Sequence, residues 1–96
     1  MSIWTWLAGP KQRPDLRVVL YTRNGCHLCE NAWEELQRHE RRHGFALSSR
    51  DIDAEPELIE RFGTCVPVIE VNGKIRQRGG FSDVLFRRLI DAAAGS

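Results

Sequence analysis

The chain predicts an α/β fold in which a mixed β-sheet is covered by helices. Three observations point there. A β-branched apolar run at residues 17–21 passes through a short turn straight into a helical pattern from Leu28 to about Arg42. A second strand pattern and a short second helix repeat that alternation before Gly63. Asn72-Gly73 then joins two more strand patterns as a hairpin, and a last helical pattern closes the chain. The order β-α-β-α-β-β-α joins the first strands by helical crossovers, which gives a sheet with helices packed on it.

The elements follow in order. Met1 to Leu16 stands apart as an extension (1–16), with 17–96 as the domain proper. Ile3, Trp4, Trp6 and Leu7 form an aromatic cluster, and Gly9, Pro10 and Pro14 interrupt regular structure. The extension reads as a segment that packs its tryptophans on the outside of the domain or frays; a partner-docking anchor is the alternative, since Trp favours such boundaries. Arg17 to Tyr21 is a largely buried strand, ended by the Asn24-Gly25 turn. In the helix that follows, Leu28, Ala32 and Leu36, flanked by Cys29 and Trp33, mark the apolar face, and Gly44 is the stop.

Phe45 to Ile52 reads as the second strand. Glu55 to Phe62 is a short helix with Pro56 in its first turn, an apolar face of Leu58, Ile59 and Phe62, and Gly63 as its end. Val66 to Val71 is the third strand, opened by Pro67, a position where proline is tolerated. Asn72-Gly73 hands over to Lys74–Arg78, an antiparallel strand broken by Gly79-Gly80. Ser82 or Asp83 caps the last helix, with Val84, Leu85, Leu89 and Ile90 on its apolar side, and Ala92 to Ser96 frays.

Ninety-six residues make one domain with a modest core. A net charge of +1 gives no electrostatic case for nucleic acid or an anionic membrane. No apolar run approaches the ~20 residues that span a bilayer. The start of the chain lacks the pattern of a secretory signal, and three cysteines are an odd count for a secreted disulfide scaffold. A reducing cytoplasm and a monomer are the expectations.

The stretch that carries chemistry is Cys26-His27-Leu28-Cys29, at a strand-to-helix junction. Two cysteines at this spacing, near a βαβ pattern, read as a dithiol redox motif, although a zinc knuckle has the same spacing. A helix N-terminus carries orphan N–H groups and positive dipole charge, so a thiolate there is stabilised and its pKa falls below the ordinary thiol value. Gly25 exposes Cys26, and Cys29 lies about one turn on, close enough to resolve a mixed disulfide.

With these parts in place, the chain resembles a glutaredoxin-like member of the thioredoxin-fold superfamily over roughly Arg17 to Ala93. Four features carry the resemblance in order: Tyr21-Thr22-Arg23-Asn24-Gly25-Cys26-His27-Leu28-Cys29, Cys65-Val66-Pro67, Val71-Asn72-Gly73-Lys74, and Gly79-Gly80-Phe81-Ser82-Asp83. It implies a thioredoxin-like fold of glutaredoxin type, a four-stranded mixed sheet flanked by helices. It implies Cys26 as attacking thiolate, Cys29 as resolving thiol, and Pro67 as a cis-proline facing them. Val66 would offer its backbone to an extended substrate. Gly79 and Gly80 would let a peptide approach. Ser82, Asp83 and the last helix's N-terminus would hold the γ-glutamyl end of glutathione, with Asp83 suited to its ammonium.

Two departures stand out. Glutaredoxins most often place Pro and an aromatic residue between the cysteines, where His27 and Leu28 stand here, so His27 is a candidate to influence the thiolate and the aromatic contact to glutathione is missing. A family of small glutaredoxin-like proteins, with an Asp-x-Asp such as Asp51-Ile52-Asp53 before the second helix, fits at least as well and implies no firm substrate. Cys65 replaces the usual Thr; it reads as a packed thiol, with a second redox partner or third metal ligand as the alternative. Arg23 is a candidate source of positive potential or a solvated turn residue.

The expected function is thiol–disulfide exchange on protein disulfides or glutathionylated proteins. Glutathione is the implied cosubstrate, or a reductase the donor; no cofactor is tightly bound and no metal site is assigned. A binding or redox-sensing module, or metal or iron–sulfur binding through Cys26 and Cys29, is the rival reading. His39-Glu40-Arg41-Arg42-His43 matches the zincin pattern, but it lies at a charged helix end without the context of a metalloprotease. It is read as a solvated helix end that complements the dipole.

Overall fold

The computed structural model describes residues 11–92; the expectations for the Trp4/Trp6 cluster and for the chain beyond Ala92 lie outside the described residues. Strand β1 (Arg17–Thr22) leads into helix α1 (His27–His43), strand β2 (Ala46–Asp51) and a 3₁₀ turn (Ile52–Ala54). Helix α2 (Pro56–Phe62), strands β3 (Val68–Val71) and β4 (Lys74–Arg78), and helix α3 (Asp83–Asp91) complete the domain. The sheet order is β2-β1-β3-β4, with β1 and β2 parallel and the other pairs antiparallel. The element order and the mixed sheet are those read from the sequence.

Alternation along β1 and β3 builds two cores. Val18, Leu20, Ile69 and Val71 face Ala32 and Leu36 of α1 and Phe86 and Ile90 of α3. Tyr21 and Val68 face the other way, against Ile52, Leu58 and Phe62. On that side the Tyr21 hydroxyl donates to Glu70, at 3.2 and 3.3 Å from its carboxylate oxygens. Burial, then the Glu70 charge, push the Tyr21 pKa up, so the hydroxyl stays a donor. The β3–β4 turn has positive φ at Asn72 (50°) and Gly73 (84°), the geometry for which Asn-Gly is selected.

Four side-chain assignments are corrected. Leu28 is 56% exposed; the buried stripe of α1 is Cys29, Ala32, Leu36, His39 and His43. The histidines of the zincin-like stretch are therefore not a solvated helix end: they are 7% and 8% exposed. On α3, Val84 and Leu85 are exposed, and Phe86 and Ile90 point inward. On α2, Ile59 is largely exposed, while Leu58 and Phe62 are buried. The third strand also begins one residue after Pro67, and Ile52 belongs to the 3₁₀ turn.

The packed domain takes in residues before β1. Leu16 lies in the larger core. The His43 Nδ1 meets the Lys11 carbonyl at 2.6 Å. The buried Arg13 guanidinium donates to the Leu89, Ile90 and Ala92 carbonyls at 3.3, 2.7 and 3.0 Å, groups that the end of α3 leaves without helical partners. Asp15 grips the same guanidinium through two bonds of 3.1 and 2.9 Å. Arg13→Ala is expected to lower stability by about 2–3 kcal/mol, since it removes charge-assisted bonds and strands carbonyls. Urea unfolding checks it; an unchanged midpoint would mean that water satisfies those carbonyls.

Candidate functional site

The register gathers the predicted site at one end of the sheet. The carboxyl end of β1 carries the loop to Cys26. Tyr21 pairs with Val68, so Val66 and Pro67 enter β3 at that same end. Val68 pairs with Arg78, so β4 finishes there and hands over to Gly79–Ser82 and the start of α3.

Cys26 is the N-cap of α1, in extended backbone, and its Sγ accepts the Cys29 N–H at 3.1 Å. Gly25, at φ 76°, makes the turn into the cap. The two sulfurs are joined in a disulfide with Cα atoms 5.2 Å apart. Cys26 is half-buried and Cys29 is 1% exposed. One sulfur can thus be reached from solvent, and its partner sits behind it in the core. His27 projects into solvent, with Nδ1 3.6 Å from Glu30. Leu28 is exposed beside the pair.

Arg23 is committed to the scaffold. Its guanidinium pairs with Asp53 of the 3₁₀ turn at 2.6 Å and donates to the Gly63 carbonyl at 2.9 Å. Hydrogen bonding to Asp53 holds its pKa up, so the guanidinium stays charged. It pins the loop that presents Cys26 to the α2 side of the sheet.

The Val66–Pro67 bond is cis. Among the described residues neither the N–H nor the C=O of Val66 has a hydrogen-bond partner, which leaves both open to an added strand. The Gly79 N–H bonds the carbonyls of Cys65 (2.7 Å) and Pro67 (2.8 Å), holding the glycine loop against the proline segment. Gly79 does this at φ 76°, where an L side chain is strained even though the space beside it is open. Cys65 is half-buried and unpaired in any disulfide.

Two residues that the sequence did not single out, Gln77 and Arg87, shape the loop and α3, together with His39 of the zincin-like stretch. Gln77 closes the glycine loop from both sides: Oε1 accepts the Ser82 N–H at 2.6 Å, and Nε2 donates to the Ser82 carbonyl at 3.1 Å. The Ser82 hydroxyl caps α3 through the Leu85 N–H. The Asp83 carboxylate is held by His39 Nε2 at 2.6 Å and by Arg87 Nε at 2.8 Å. Among the described residues His39 Nδ1 is buried without a hydrogen-bond partner. Glu35, His39 and Asp83 bring ligand-type atoms within 4.8 Å of one another, but Arg38 pairs with Glu35 and Arg87 with Asp83, so the cluster is an ion-pair network. His39→Ala is expected to cost about 2–4 kcal/mol through the cavity and the lost bond to Asp83. Urea unfolding again decides, and a loss under about 0.5 kcal/mol would contradict the tie.

A reachable cysteine at a helix N-cap, a buried partner one turn on, a cis-proline and a glycine loop define a dithiol protein of the thioredoxin fold. Residues 17–89 match the family described as glutaredoxin-like domain (DUF836), and the chain belongs to that family. Among solved structures it is similar to protein Ne2328 from Nitrosomonas europaea, at 24% identity and a TM-score of 0.69 over 84% of this chain and 96% of that one. It is also similar to protein XcR50 from X. campestris, at 33% identity and 0.64 over 79% and 97%. The oxidised thioredoxin from Plasmodium falciparum, at 19% identity and 0.59 over 94% and 88%, shares the fold. No curated protein matches the chain. No helix among the described residues is long and apolar enough to cross a membrane.

Proposed function

We propose that the protein is a thiol–disulfide oxidoreductase in which Cys26 attacks and Cys29 resolves. The observation that carries this reading is the asymmetry of the pair: Cys26 is reachable at the helix cap and Cys29 is buried behind it. In the reduced protein the Cys26 thiolate attacks one sulfur of a substrate disulfide. A Cys26–substrate bond forms, and the other half leaves as a thiolate that takes a proton. Cys29 then loses its proton and attacks the Cys26 sulfur, forming the Cys26–Cys29 disulfide and releasing the second substrate thiol. Two electrons pass from the protein dithiol to the substrate. Two glutathione molecules, or a reductase, return them. The same steps in reverse oxidise a substrate dithiol.

The cap geometry supports a Cys26 pKa below the ordinary thiol value of about 8.5, because Sγ faces the Cys29 N–H and the positive end of α1. Alkylation of reduced protein against pH is expected to give a midpoint for Cys26 below that value. A midpoint at or above it would remove the activation argued here.

Glutathione as cosubstrate rests on Gly79, Gly80 and the amides of Asp83 and Val84, which the first turn of α3 leaves free. The Ser82 N–H is already taken by Gln77, and the Asp83 carboxylate by His39 and Arg87, so the ammonium of a γ-glutamyl group would meet a carboxylate already shared. Turnover of a glutathione mixed disulfide coupled to glutathione reductase tests both levels of the proposal. Robust turnover supports exchange and glutathione together. No turnover, with protein disulfides still reduced through a thioredoxin-reductase-type donor, rejects glutathione and keeps exchange. No reduction of any disulfide rejects both.

A further inference from the structure

We infer that the cleft at the glycine loop, at the dithiol end of the sheet, receives an acidic, extended polypeptide segment that flanks the disulfide cysteine of a protein substrate. The inference rests on the exchange reading and names its substrate class.

The cleft measures about 360 Å³, and Arg76, Arg78, Gly80, Phe81 and Leu85 are among its lining residues. It sits at the end of the sheet where Val66 leaves its backbone groups open. One wall is cationic, and β4 is irregular there. Ile69 pairs with Gln77 and Glu70 with Ile75, which leaves Arg76 as the extra residue of a bulge. Arg76 and Arg78 both line the cleft at the mouth of the glycine loop.

Both arginines are exposed, and neither holds a carboxylate among the described residues. The acidic group nearest Arg78 in the chain, Asp83, is held by His39 and Arg87, and the one nearest Arg76, Glu70, accepts from the Tyr21 hydroxyl. Leu85 and Phe81 add an apolar wall, and no element among the described residues covers Leu85. Cations along an edge strand also deter edge-to-edge pairing. That role does not need the exposed leucine that shares the cleft with them. Unpaired cations beside an apolar wall and a free strand edge fit a segment that carries carboxylates and lies extended.

The test uses three peptide disulfides, identical except for acidic, neutral or basic residues next to the cysteine. Reduced full-length protein is mixed with each in single turnover, and the second-order rate constants are compared. The acidic peptide is expected to react about tenfold faster than the neutral one at low ionic strength, and the basic one more slowly, with the spread collapsing in high salt. In R76E/R78E the order is expected to reverse, and in the milder R76Q/R78Q to vanish. The neutral peptide is the reference within each protein, so a general loss of function changes all three rates together and leaves the ratios readable. Equal rates for acidic and neutral peptides in the wild type, or an acidic preference that survives R76E/R78E, would overturn the inference and leave the exchange reading standing. Failure to react with all three peptides would remove both.

Discussion

Cys26→Ser is expected to lower disulfide turnover by at least about a thousandfold, because the step that fails is covalent. A serine hydroxyl at the α1 cap keeps the hydrogen bond from the Cys29 amide but supplies no thiolate. The fold should be intact, since serine is a favoured N-cap residue. Cys65→Ser is the matched control. Cys65 is half-buried, its carbonyl rather than its sulfur contacts Gly79, and it stands in no disulfide. Its loss should change turnover by no more than about twofold. Steady-state kinetics of the two variants against wild type separate the cases. Equal losses in both would place the third thiol in the reaction and break the two-cysteine mechanism.

Phe86→Ala is expected to destabilise the domain by about 3–5 kcal/mol, the range for emptying a buried aromatic site. Single domains of this size are held by only about 5–15 kcal/mol in total. The Phe86 ring lies 5.7 Å from Phe45, 5.5 Å from Phe81 and 4.9 Å from His39, centre to centre. It therefore joins α3 to the start of β2, to the glycine loop and to α1. Urea unfolding with fluorescence and circular dichroism should show one transition moved to much lower denaturant. A loss under about 1 kcal/mol would mean that the neighbours collapse into the space.

The elements that could be read from the residues are those specified locally. Alternation set Val18 and Leu20 against one core and Tyr21 against the other, as a strand between two helical layers requires. Asn72-Gly73 and Gly44 occupy positive-φ positions where their residue types are favoured, and Ser82 caps α3. The dithiol was legible because the chemistry itself fixes the spacing of Cys26 and Cys29.

Helix faces were less legible, for a physical reason. The first turns of α1 and α3 lie at the dithiol end of the sheet, and Leu28, Val84 and Leu85 there stay exposed although their hydrophobicity marks them as core. The buried stripe of α1 runs through Cys29, Ala32, Leu36, His39 and His43 at spacings of three and four, a signal present in the sequence but masked by the polarity of its last two members. His39 is buried with its Nε2 against the carboxylate of Asp83, 44 residues later. Arg13 is buried because the end of α3 needs donors. Such pairings are made by the fold, and no local pattern announces them. Gln77, which closes the glycine loop, is hidden for a different reason: it alternates correctly as a strand residue and carries no motif.

The most direct test of the central claim, that Cys26 is the attacking sulfur, is to trap its adduct. Reduced Cys29→Ser protein is mixed with a limiting disulfide, quenched with acid and mapped by mass spectrometry after digestion. The mechanism predicts one substrate half on Cys26 and none on Cys65. An adduct carried by Cys65, or no adduct while the disulfide is still consumed, would contradict it.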